Sequence, residues 1–462
     1  MTQTQVLVLT GVSIYVFISL AVGFWTRHWI KTERDYIVAG GRLGWMLSIG
    51  TIFATWFGAE TCMGSSGTAF NKGILGVIAD PFGAGLCLII SGLFFAKYFR
   101  KKNYETIVDF FKERYGTRAA CFLSIMYLPA YLGWIGAQLI AFGYILNSLT
   151  GFPLMLSIIL STAVVLIYTY MGGMWADTIT DFFQMVILIA GLLIIFPILI
   201  KELGGFTCAV SRTPKEFFYF YPRSASRLDW LWYFQAWMMV GIGSLPAQDL
   251  FARTMAARNC NVSRWSAILA GIFYIIIGMI PVLIGIFARL AMPNASGETI
   301  LIDTALKYLS PVMIMILVGA LLAAIMSSAD SALLAPSSII GHNILPLIKR
   351  NATEEDKLNW CKWSVPIIGI LSLMLALYFK NIYRLCQESW GILLVGVAAP
   401  MIFGVYFKKA TAKAAVAASL GGIITWVFFK IKIPEVPSNL IGFFVSMIIM
   451  VSVSLCGRIK SC

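Results

Sequence analysis

Three hydroxyls and a carboxylate fall within about two turns of one apolar helix, in the run Ala323-Ala324-Ile325-Met326-Ser327-Ser328-Ala329-Asp330-Ser331. A sodium ion needs about five or six hard oxygen ligands, and hydroxyls together with freed backbone carbonyls are the neutral donors that suit it. Ser327, Ser328 and Ser331 can supply such donors from one helix if an unwound neighbour adds carbonyls. The competing reading is that these hydroxyls join helices by hydrogen bonds. Asp330 weighs toward the cation, because a carboxylate at membrane depth costs at least about 3 kcal/mol unless something positive compensates it.

Free carbonyls at membrane depth require a broken helix, and breaks survive only where they line a cavity or bind something. Two apolar stretches read as broken. One runs Gly50 to Glu60, with β-branched residues, glycines and a carboxylate at its midpoint. The other runs Gly241-Ile242-Gly243-Ser244-Leu245-Pro246-Ala247-Gln248-Asp249, where Pro246 removes a backbone donor. The alternative is that Gly and Pro are simply common in membrane helices.

Hydrophobic residues make up 59% of the 462 and charged residues only 12%, so the solvent for this chain is a lipid bilayer. A window of roughly 19 residues finds about thirteen stretches able to cross a hydrocarbon core. They cover 6–25, 44–70, 74–99, 119–147, 153–171, 177–200, 229–252, 265–289, 310–340, 361–379, 383–407, 411–429 and 437–456. The expectation is an all-α membrane protein forming one transmembrane domain over 1–462, with 6–25 read as a retained helix rather than a signal peptide. The two broken stretches are five spans apart. Each therefore opens a five-helix unit, 44–200 and 229–407, the second inverted because five is odd, with 6–25 leading and 411–456 trailing.

The net charge of +14 does not point to nucleic acid. With the N-terminus outside, 23 of the 35 Lys and Arg fall in inside segments, which places the C-terminus in the cytoplasm of a multi-pass protein of the cell membrane. The basic excess then meets anionic lipid. Nine cysteines form no CxxC pair, and with only His28 and His342 there is little material for a metal or redox site. No HExxH or Gly-x-Ser-x-Gly motif is present, so an enzyme is not expected.

Several segments in order along the chain resemble the sodium:solute symporter family: Gly92 to Lys97 with Tyr115 to Arg118, Tyr170 to Trp175 followed by Thr180, Asp181 and Gln184, then Gln248 to Arg253 and Ala324 to Ser331. The resemblance is closest to its high-affinity choline transporter branch, through Ala54-Thr55-Trp56, Met326 to Ser331 and Asn343-Ile344. It implies a LeuT-type fold of inverted five-helix repeats and a sodium site built from the carbonyls of Ala54, Phe57 and Ala324 and the hydroxyls of Ser327 and Ser328. It also implies a second sodium site at Asp181, Asp330 and Ser331. For both carboxylates the alternative is pairing with helix ends or with an internal arginine.

In the choline-like branch aromatic rings enclose a quaternary ammonium, a contact that contributes about 2 kcal/mol when desolvated. Trp56 and Trp134 match two walls of such a cage. Ala84, Ala247 and Cys386 stand where that branch has rings, while Glu60 and Asp80 replace small residues. Trp56, Glu60, Asp80 and Trp134, with Gln248 just past the second break, form the expected site for a small organic solute; for Gln248 the alternative is a helix-to-helix hydrogen bond. An organic cation held by charge is one reading; an amino acid, sugar or carboxylate, or a non-transporting sensor, are the others.

Overall fold

The computed structural model describes residues 24–223, 226–379 and 381–459, with Thr10, Phe17 and Ala21 before them. The leading stretch 6–25 lies almost wholly outside that description. In chain order the helices that matter are α1 (Glu33–Val38), α2 (Trp45–Trp56), α3 (Ser65–Lys72), α4 (Ile74–Lys102), α5 (Ile107–Tyr115), α6 (Thr117–Thr150), α7 (Leu154–Glu202) and α8 (Arg227–Gly241). They continue with α9 (Gln248–Ala256), α10 (Cys260–Ala291), α11 (Ile300–Tyr308), α12 (Pro311–Ile348), α13 (Glu354–Tyr378), α14 (Ile382–Tyr406), α15 (Ala412–Lys432) and α16 (Ser438–Ile459).

Among the described residues nine helices are long and apolar enough to cross a membrane, fewer than the thirteen stretches expected. Much of the difference lies in the breaks. The stretch 44–70 divides into α2 and α3, and 229–252 divides into α8 and α9, so neither reaches crossing length as one helix. The two stretches expected at 153–171 and 177–200 join in the single helical run of α7, because no proline or capping turn ends the first before the second begins.

The first break has a clear backbone cause. Phe57 leaves the helical region at φ −78° and ψ 61°, and the Gly58 amide turns to the Trp56 carbonyl at 2.8 Å instead of the Ala54 carbonyl four residues back. A Cβ at Gly58 would sit 2.1 Å from Ser328 Oγ and 2.9 Å from Gln138 Oε1, so only glycine lets α12 approach this closely. The Tyr274 hydroxyl, which donates its proton to Asp80, also lies 2.9 Å from the Trp56 carbonyl.

At the second break α8 ends at Gly241 and the chain turns through Ile242–Ala247 before α9 begins. The Pro246 carbonyl accepts from Tyr127 of α6 at 2.8 Å. Near the end of the bundle that collects the basic loops, Leu43 and Arg258 exchange backbone bonds at 2.9 Å with Ala256 and Leu43 respectively, and so tie the entry to α2 to the exit of α9. Arg114 of α5 donates to the carbonyls of Gly404, Phe407 and Lys408, closing the C-terminal end of α14. At the opposite end Glu298 accepts from Asn381 Nδ2 at 2.6 Å and from the Ile382 amide at the start of α14. Burial pushes its carboxyl up to about 7, although that amide favours the charged form.

Side-chain size governs how the helices pack, since lipid supplies no hydrophobic drive between them. α10 crosses α4 where Gly85 and Gly271 face each other: a Cβ on either would lie 2.8 or 2.6 Å from the other's carbonyl oxygen. Replacing Gly85 with valine is expected to force these helices apart and to destabilise the protein by about 1–3 kcal/mol, read as a lower thermal midpoint in detergent.

Candidate functional site

The freed Ala54 carbonyl points at α12, where Ser328 Oγ lies 3.5 Å away. Two oxygens held about 2.4 Å from one hard cation, at right angles, would be separated by about that distance. Ser327, one residue earlier, donates to Asp181 of α7, and the other Asp181 oxygen accepts from Thr51 of α2 at 2.6 Å. Ala54, Phe57, Ala324, Ser327 and Ser328 are all buried and lie on the two segments that meet here. Hydroxyl, carbonyl and carboxylate oxygens of α2, α7 and α12 thus lie along this contact, the donor types that suit a hard cation.

A layer nearer the basic end is organised by Arg253, in the second turn of α9 and only 1% exposed. Its guanidinium donates to Asp177 of α7 and to Ser331 of α12, and its Nε donates to Thr55 at 2.6 Å. Ser331 also reaches Asp177 at 3.1 Å. Asp177, Asp181, Asp249 and Asp330 all act on this one cation electrostatically. Four carboxylates and one guanidinium leave excess negative charge in a dry interior, a state that calls for added cations or protons. Asp330 is the least satisfied member: both its oxygens are buried without a hydrogen bond, since the neighbouring Thr169 hydroxyl donates to the Val165 carbonyl at 2.9 Å. Arg253 is thus a buried member of the bundle rather than a loop charge.

Above the cation layer lie aromatic rings. Trp134 and Tyr131 of α6, Trp56 of α2 and Trp390 of α14 form one cluster, with ring centroids 4.9 Å apart for Trp134 and Trp390 and 5.9 Å for Trp56 and Trp390. Trp56 Nε1 donates to Asp249 at 2.5 Å and Tyr131 donates to the same carboxylate, which sits in the first turn of α9, where the helix dipole favours negative charge. Glu60 accepts from Trp390 Nε1 at 3.2 Å through one oxygen, while its Oε1 is buried without a hydrogen-bond partner. Asp80 is better satisfied, accepting from Tyr274 at 2.9 Å and from Ser65 at 3.4 Å.

Gln248 does not join this group. Its Oε1 accepts from the Ile107 amide at 2.8 Å and its Nε2 donates to Ser338 at 3.2 Å, so it fastens α9 to α5 and α12 on the basic side. Of the two readings of Gln248, cavity side chain or helix-to-helix hydrogen bond, these contacts match the second, and the first turn of α9 brings Asp249 to the aromatic rings instead. Trp390, Tyr131, Asp249, Asp177, Thr51 and the role of Arg253 were not foreseen. Some signal existed, since Trp390 follows Cys386 at helical i, i+4 spacing and shares its face. Asp177 and Asp181 are spaced in the same way on α7.

The chain is also similar to known proteins. The chain is 27% identical over 443 residues to "High-affinity choline transporter 1" of Caenorhabditis elegans, covering 89% of this chain and 75% of that protein. It is 28% identical over 431 residues to the "High affinity choline transporter 1" of Homo sapiens, covering 87% and 73%. Its fold matches the substrate-bound, outward-open state of a Na+-coupled sialic acid symporter with a TM-score of 0.85 at 20% identity, over 97% of this chain and 98% of that one. That likeness establishes the LeuT-type helical fold expected from the sequence. Residues 36–422 match the model of the sodium:solute symporter family, and this chain, a multi-pass membrane transporter, belongs to that family.

Proposed function

We propose that the chain imports a small organic cation by symport with sodium, in a cell membrane, with its N-terminus outside and its C-terminus in the cytoplasm. The observation that carries the coupling is the Ala54 carbonyl, released by the break and facing Ser328 Oγ at 3.5 Å. Sodium at Ala54, Phe57, Ala324, Ser327 and Ser328 joins α2 to α12 and holds the broken segment in shape. The two repeats, 44–200 and 229–407, then rock about this site, with 6–25 leading and 411–456 trailing.

The choice of cation for solute follows from Glu60. Its unpartnered oxygen lies in a layer walled by Trp56, Trp134 and Trp390, with Asp80 close enough to act on it electrostatically. Ring faces and carboxylates both favour a desolvated cation, and the choline transporters among the relatives point to the same class. A second sodium ion at Asp181, Asp330 and Ser331 would offset the negative excess around Arg253. One sodium moving through ~100 mV supplies about 2.3 kcal/mol, and a tenfold concentration ratio about 1.4 kcal/mol more, enough for accumulation of several hundredfold.

Ser328→Ala removes one oxygen ligand and is expected to raise the half-saturating sodium concentration about tenfold, roughly 1.4 kcal/mol, with insertion intact. Uptake by that variant with unchanged sodium dependence counts against the site. Asp330→Asn is expected to lower by one the sodium ions moved per solute, measured as the ratio of labelled sodium to solute flux; an unchanged ratio removes the second ion. In thermal-shift screens with sodium, quaternary amines at about 100 times their Kd should stabilise the protein by about 2.7 kcal/mol, and Glu60→Gln should abolish the effect. Stabilisation by sugars or carboxylates alone would overturn the cation reading.

A further inference from the structure

His342, in the last turns of α12, stands where three other segments meet. Its Nδ1 lies 3.0 Å from a Glu33 oxygen, in the first turn of α1, and 3.6 Å from a Glu105 oxygen, in the turn before α5. Its Nε2 lies 3.2 Å from Asp109 Oδ1. The Asp109 carboxylate is itself fixed, accepting from Asn343 Nδ2 at 2.8 Å and from the amides of Glu105 and Thr106 at 3.0 Å.

We propose that Glu33, Glu105 and His342 form a binding site for one divalent transition-metal ion of the Zn2+ type. The spacing fits: ligands about 2.0–2.1 Å from a tetrahedral ion lie roughly 3.3 Å apart, between the two distances found at Nδ1. The orientation fits as well. With Asp109 accepting the Nε2 proton, an ion that replaces the proton Nδ1 shares with Glu33 meets the Nδ1 lone pair beside Glu33 and Glu105, the carboxylate–histidine–metal relay that orients a ligating imidazole. One nitrogen with two carboxylates suits zinc rather than magnesium or calcium, which take oxygen alone. Three protein ligands leave a fourth position for water. The side chains of His342 and Glu105 are 19% and 21% exposed, so an ion has a way in, while Glu33 is 1% exposed and anchors the site. Lys357, with Nζ 3.5 Å from the other Glu33 oxygen, is the internal cation an arriving metal must displace or share with.

The bound ion would fasten α1, which leads directly into the broken helix, to the end of α12 and to the loop before α5. Binding itself does not depend on the transport reading, so the test reads the ion alone. The purified full chain, stripped with a chelator, is titrated with Zn2+ by calorimetry and with Co2+ by visible absorption. The site predicts one ion per chain with a tetrahedral Co2+ spectrum free of thiolate charge transfer. His342→Asn and Glu105→Gln should each weaken binding about tenfold or more, and Asp109→Asn, which orients the ring without ligating the ion, by about 10–100-fold with the same Co2+ geometry. Glu105→Gln is the control for folding, because that side chain is partly exposed. No saturable binding, a thiolate spectrum, or affinity unchanged in both His342→Asn and Glu105→Gln overturns the proposal.

Discussion

In hydrocarbon a backbone carbonyl without a partner is costly, and the structure is built around the place where one helix accepts that cost. At Phe57 the chain leaves the helix, the Ala54 carbonyl loses its donor, and Ser328 of α12 faces it. Gly58 makes this approach possible, because any side chain there would strike the Ser328 hydroxyl. A site of this kind cannot be moved along the helix by a residue without closing the break or driving α12 away.

Charge imposes the next constraint. Arg253 is enclosed by carboxylates from α7, α9 and α12 and bonds to hydroxyls of α2 and α12. One guanidinium cannot neutralise four ionised acids, so the acids in this layer outnumber the one buried cation that faces them. The break and this layer share α2 and α12, and a cation bound in one alters the field in the other. Arg253, on α9 after the second break, bonds to Thr55 of α2 just before the first, so this layer also joins the two broken segments.

The aromatic layer follows from the same meeting of helices. Trp56 ends α2, Trp134 and Tyr131 lie on α6, and Trp390 comes from α14, so the cluster exists only when all three pack. Asp249 links it to the arginine layer through its bonds to Trp56 and Tyr131. The aromatic and arginine layers are therefore one connected network of side chains.

The sequence alone determined the solvent, the helical class, both breaks and the serine run, because these depend on hydropathy, on Gly and Pro, and on spacing along one helix. It also carried the family resemblance, through motifs that keep their order in the chain. It could not determine which acids would crowd Arg253, that Trp390 would complete the aromatic layer, or that Gln248 would turn toward α5. With only His28 and His342 in the chain there was little reason to expect a metal site, and His342 gains carboxylate neighbours only through folding. Each of these depends on side chains 70 or more residues apart in sequence, as in Arg253 with Asp177 or Trp390 with Glu60, meeting across helix faces. Local pattern records which way a residue faces on its own helix; the packing of helices against one another decides what it meets.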